Sequence, residues 1–98
     1  MTDHTAIAHV PTGSASRYLG QLCKHFAHKI PVMHDSAHGR IDFDFGSCEL
    51  EAGKEALTLR VSAASEASLG QTEDVIARHL ERFAFRDELK VSWSRPAA

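Results

Sequence analysis

Apolar residues in this chain repeat with two different periods, and the order of those periods limits the fold more than any other feature. Ile41, Phe43 and Phe45 alternate with Asp42 and Asp44, and Leu57, Leu59 and Val61 alternate with Thr58, Arg60 and Ser62. Leu89, Val91 and Trp93 alternate with Lys90, Ser92 and Ser94 in the same way. A period of two places one side of each stretch inside and the other in water, which is a half-buried strand. Elsewhere the spacing is helical. Tyr18, Leu19, Leu22, Cys23, Phe26, Ala27 and Ile30 share one sector at 100° per residue, and Leu69, Ile76, Leu80 and Phe83 share another. Strands with one apolar face need a single cover, so the expected fold is α+β: a two-layer sandwich, an antiparallel sheet with two helices packed on one face.

Punctuation residues set the boundaries. Thr5 to Val10 reads as a strand ended by Pro11 and Gly13, after which Ser14 or Ser16 caps a helix to about Lys29 that Pro31 stops. Pro31 to Met33 begins a second strand, and His34 to Gly39 is a polar turn. After Phe45 the alternation slips, with inward residues resuming at Cys48 and Leu50, so Gly46-Ser47 is expected to form a bulge or a tight turn. The second helix starts between Ser65 and Ser68, where Ser68 and Gln71 suit a capping box, and Asp74 pairs with Arg78 on its outer side. The expected order is β-α-β-β-β-α-β, with Leu89 to Trp93 as the last strand. Asp42, Asp44, Glu49, Glu51 and Arg60 are expected on the watery sheet face.

The chain has 98 residues, enough for one domain, here taken as residues 1–98 with an ordered core of about 5–95 and frayed ends at Met1–His4 and Pro96–Ala98. Hydrophobic residues make up 43% and charged residues 24%, which excludes a disordered chain. No apolar run approaches the ~18 residues of a membrane span, and MTDHTAIAHV lacks the pattern of a signal peptide, so a cytoplasmic protein without membrane contact is expected. A net charge of −2 argues against a nucleic-acid partner. Cys23 and Cys48 are too few for a disulfide scaffold and are expected to be thiols.

Seven histidines are the one unusual count. Cys23-Lys24-His25-Phe26-Ala27-His28 invites a metal reading, since thiolate and imidazole at short spacing bind zinc and iron. On a helix, however, Cys23 and His25 lie about 160° apart, so Cys23 belongs to the core. His25 and His28 are about 60° apart and one turn removed, and two ligands are too few, so the missing ones would come from His79 or from the His34/His38 turn. His79 lies about 40° from the centre of the second helix's apolar sector. It reads as a half-buried histidine bonded to a backbone carbonyl or polar side chain, or else as a group lining a pocket between the helices. Arg17, Gln21, Lys24 and His28 form an outward stripe on the first helix bordered by His25 and Lys29, with Arg82 and Arg86 as further cations. Such a face suits an anionic ligand or partner; its plainer reading is a solvated helix surface with cations placed as the helix dipole favours. No catalytic motif occurs: no nucleophile elbow, phosphate loop, dinucleotide fingerprint or zinc-protease helix.

Three stretches carry a family resemblance: Ser16-Arg17-Tyr18-Leu19 running into Gln21-Leu22-Cys23-Lys24-His25-Phe26-Ala27-His28-Lys29, then Gly39-Arg40-Ile41-Asp42-Phe43, then His79-Leu80-Glu81-Arg82-Phe83-Ala84-Phe85-Arg86. Together they resemble the bacterial family called domain of unknown function 2218, over roughly Thr5 to Ser94. The resemblance supplies no catalytic residues and no cofactor. It implies a setting, because members occur alone or joined to flavin-binding siderophore-interacting reductases. The resulting expectation is a non-enzymatic accessory or binding domain in iron–siderophore handling. It would recognise an anionic ferric siderophore or a partner reductase through Arg17, Lys24, His25 and His28, with Arg82 and Arg86 secondary. Two alternatives are a metal-binding protein using His25, His28 and His79, and a structural homo-oligomer.

Overall fold

A computed structural model describes residues 3–95. Its elements are β1 (His4–Pro11), α1 (Ala15–Ala27), β2 (Val32–His34), β3 (His38–Phe43), β4 (Gly46–Ala52), β5 (Ala56–Ala63) and α2 (Glu66–Phe83), followed by a short 3-10 turn (Phe85–Asp87). The five strands form one sheet in the order β1-β5-β4-β3-β2, antiparallel throughout. Both helices cover one face, α1 over β2, β3 and β4 and α2 over β5, β4 and β1. The α+β two-layer sandwich is therefore as expected.

The alternation places the core. Ala6, Ala8 and Val10 of β1, Leu57, Leu59 and Val61 of β5, Cys48 and Leu50 of β4, and Ile41 of β3 all point at the helices and are buried. The helices answer with Leu19, Leu22 and Cys23 of α1 and Leu69, Ile76 and Leu80 of α2. Each of the buried Leu, Ile and Val side chains among them contributes ~1.5–3 kcal/mol by leaving water. Two glycines permit the close approach of the layers. A Cβ on Gly39 would stand 2.8 Å from Cys23 Sγ under α1, and one on Gly46 would stand 2.4 Å from Thr72 Oγ1 under α2.

Several local expectations are corrected. The phase slip is a turn at Asp44-Phe45, and Gly46-Ser47 already belong to β4. Gly46 serves the helix approach and not the turn, and Asp44 leaves the sheet face for the loop. Leu89 to Trp93 form no strand: the segment makes one bridge, in which Ile7 and Ser94 exchange backbone hydrogen bonds of 2.9 and 2.8 Å. The Val91 amide donates instead to the Glu81 carboxylate at 3.1 Å and is lost to a ladder, and Glu88, just before the stretch, takes a left-handed φ of 53°. Leu89, Val91 and Trp93 still pack against the core. The α2 cap is Ser65, whose hydroxyl accepts from the Ser68 amide at 3.1 Å, and not a box on Ser68. Helix α1 stops at Ala27, which is exposed, two residues before the expected end. His4 opens β1 and is not frayed; the expected fraying of residues 1–2 and 96–98 lies outside the described residues. No described helix is long and apolar enough to cross a membrane.

Candidate functional site

Where α1 ends, its last turn meets the last turns of α2 above the end of β3, and the side chains there are mostly rings. His25 stands with its ring centroid 5.0 Å from Phe26, 4.8 Å from His79 and 5.6 Å from Phe83. Phe26 in turn stands 4.9 Å from His79 and 5.1 Å edge-on to Phe43. The cause lies in the sequence: Phe26 continues the apolar stripe of α1, His79 follows Ile76 by about one turn on α2, and Phe43 is the last residue of β3. These residues frame an open depression of about 460 Å³ lined by His25, Phe26, His28, Lys29, Ile30, Phe43 and His79. It is within the usual size range of small-molecule sites.

No acid belongs to that lining, whereas its rim is cationic. Lys29 borders it, and Arg82 stands in an adjoining hollow shared with Arg78 and His79. The His25 ring is held below its ordinary pKa of 6.5, first by desolvation and then by His79, His28, Lys29 and Arg82. His25 as a residue is exposed, and the desolvation is that of a ring edge laid against Phe26, Phe83 and His79. His79 is half-buried, and its Nδ1 lies 2.7 Å from the Val75 carbonyl oxygen one turn earlier. A carbonyl only accepts, so Nδ1 carries a proton, and in the neutral ring Nε2 is the nitrogen with the free lone pair. The structure thus places the His79 ring on a backbone bond and in the lining of this depression.

The structure brings His25, His28 and His79 to one depression, with Arg82 beside it. It does not bring the others. Arg17 precedes His25 by eight residues, about 12 Å along the helix, and neither it nor Lys24 is in the lining. Arg86 lies beyond α2 on the 3-10 turn, with its guanidinium 5.9 Å from the Phe85 ring centroid. Among the described residues, no group of three or more His, Cys, Asp or Glu side chains is placed to hold a metal ion. Cys23 and Cys48 are buried free thiols; burial pushes Cys23 up to about 11 and Cys48 higher still, so neither is a ready thiolate. Sequence reasoning missed Phe43 and Ile30 as walls, because side chains from a strand and a loop have no common period with a helix. It also missed the bond from the Tyr18 hydroxyl to the Asp87 carboxylate, which raises the Tyr18 pKa and ties α1 to the 3-10 turn.

The comparisons agree with this architecture. Residues 7–94 match the family described as an uncharacterized protein conserved in bacteria (DUF2218). The chain belongs to that family. The NMR structure of PA4090 from Pseudomonas aeruginosa is similar to it, with 36% identity and a TM-score of 0.79 over 93% of this chain and 95% of that one. No curated protein matches.

Proposed function

We propose that this family member is a non-enzymatic binding domain of bacterial iron–siderophore handling. It takes an anionic ferric siderophore at the depression between α1 and α2, or docks a siderophore-interacting reductase on the same surface. The siderophore setting rests on the family resemblance; the chemistry rests on one observation. A depression of about 460 Å³ has the rings of Phe26, Phe43, His25 and His79 as walls, cations at its rim and no acid in its lining. Flat rings suit the planar iron-binding groups of an anionic chelate, and Lys29 and Arg82 supply charge-assisted hydrogen bonds, with a His28 ring N–H as a further donor. Arg17, Lys24 and Arg86, farther out, add to the field that attracts an anion and touch it less.

A thermal-shift titration of metal-free, untagged protein tests this. Ferric siderophores at 100 times their dissociation constant add about 2.7 kcal/mol of stability. For a domain this size each kcal/mol raises the midpoint by about 4–8 °C. The expected result is a rise with the ferric complex and none with the iron-free siderophore, reduced in His28→Ala and Arg82→Ala more than in Arg17→Ala or Arg86→Ala. Equal shifts with both forms would remove the ferric chelate as the ligand. No shift, together with no binding to the reductase, would remove the proposal.

A further inference from the structure

The same corner carries a second arrangement, one of imidazoles. A histidine that binds a metal through Nε2 almost always donates its Nδ1–H to a carboxylate, a backbone carbonyl or water, which fixes the tautomer and aims the ring. His79 is already in that state: Nδ1 is 2.7 Å from the Val75 carbonyl oxygen, on the helix's own backbone, so Nε2 faces away from it. The neighbouring imidazole belongs to His25, 4.8 Å away centroid to centroid, with planes 46° apart. Two imidazoles sharing one ion, each at a metal–nitrogen distance of ~2.0–2.1 Å, bring their ring centres to about this separation. His28 lines the same depression from one turn further along.

We infer that His25 and His79, with His28 at the rim, form an open two-imidazole site for a borderline divalent transition metal such as Zn²⁺ or Ni²⁺. Imidazole suits these ions and not the hard Mg²⁺ or Ca²⁺, which require oxygen donors. Its remaining coordination positions face the depression and are filled by water or an exogenous ligand. Lys29 at the rim and Arg82 in the adjoining hollow are the two cations beside the site, and β3 contributes only Phe43 to its lining. The same two cations oppose a bare dication, and no carboxylate offsets them. The site is therefore weak without an anionic co-ligand, in keeping with the absence of a three-residue metal cluster among the described residues.

The test is a titration of untagged, chelator-stripped protein with Zn²⁺, followed by NMR of the histidine ring nitrogens and by calorimetry. Before metal is added, His79 should show the Nδ1–H tautomer. With Zn²⁺, the His79 and His25 rings should shift first, at a stoichiometry of one. His25→Gln and His79→Gln should each weaken binding about tenfold or more, with His38→Gln on the opposite sheet face leaving it unchanged. His25 is exposed, so its variant folds, and the wild-type ring shifts need no variant at all. Shifts that begin at His9, His34 or His38, or unchanged affinity in His25→Gln, would overturn the inference. The siderophore titration is run without Zn²⁺ or any other free divalent metal, so either proposal can fail alone.

Discussion

The sheet carries a depression on each side, and the two are built on opposite electrostatic plans. On the helix side, rings and cations gather without an acid in the lining. On the open side, a hollow of about 310 Å³ is lined by Ile7, His9, His38, Glu49, Glu51, Thr58 and Arg60. There the cross-strand register neutralises charge locally. Glu49 sits opposite Arg40 on β3 and Arg60 on β5, and Glu51 sits opposite His38 and Thr58. Arg40 bonds Asp42 at 3.0 Å and approaches Glu49 at 3.7 Å, while His9 Nδ1 is 3.1 Å from Thr58 Oγ1. A ladder pairs residues by construction, so a sheet face mixing both signs satisfies itself. The end of a helix has no such partner, and its charge is left for something else. This difference, more than size, favours the helix-side depression as the site.

Both hollows depend on one apolar layer, and the largest effect comes from breaking it. Leu59 lies on β5 with none of its surface exposed. Leu59→Ala should cost about 2–5 kcal/mol. Urea unfolding followed separately by the rings near His79 and by Trp93 should move as one transition; separate midpoints would mean that the two faces are held independently. Gly46→Ala acts on the α2 side alone. Its Cβ would stand 2.4 Å from Thr72 Oγ1 and 2.8 Å from the Ser62 carbonyl oxygen, and neither backbone nor a buried hydroxyl bonded to Ser68 yields easily. A loss of about 1–3 kcal/mol is expected, with Zn²⁺ or anion binding at the α1–α2 corner weakened alongside it. On the open face, Glu49→Gln leaves Arg40 with Asp42 and removes the carboxylate opposite Arg60. Because these groups are exposed, stability should fall by less than about 1 kcal/mol. That loss should disappear in high salt; a larger, salt-independent loss would show that the open face is not a screened surface.

The same physics explains which parts of the molecule were legible in the sequence. Ile41, Leu57, Leu59 and Val61 announced their strands because one face of each is buried, and the period follows from that alone. The α1 and α2 stripes were legible for the same reason. Leu89, Val91 and Trp93 alternate just as well, yet the Val91 amide goes to Glu81, and the bridge to β1 is made by Ser94 beyond them. Periodicity reports which side chains are buried and is silent on where the backbone bonds. The site was legible only in part. His25, His28 and His79 were picked out by type and angle, but their meeting is set by how α1 packs beside α2, and Phe43 enters from a strand. The basic stripe was an angular fact about one helix that the tertiary structure divides, leaving Arg17 and Lys24 outside the hollow.

The smallest effect, and the most specific to the helix-side corner, is in the pH dependence of stability. In the unfolded chain the His25 ring takes up a proton near its ordinary value of 6.5; in the folded chain it does so only at lower pH, since its edge is desolvated and four neighbours oppose the charge. Between those two values the unfolded state holds more protons than the native state. Stability due to His25 is therefore complete above the unfolded value, is lost as pH falls through it, and stops falling below the folded value. His25→Gln, which keeps a similar volume and cannot be protonated, should lose less stability than wild type on going from about pH 7.5 to about pH 5.5. The measurement is the urea midpoint of both proteins across that range. His79→Gln should flatten the slope in the wild-type His25 background as well, because His79 is the strongest of the charges that oppose a proton on His25. Curves that stay parallel in both variants would mean that the His25 ring meets water freely, and the aromatic wall would then be open at its most exposed member.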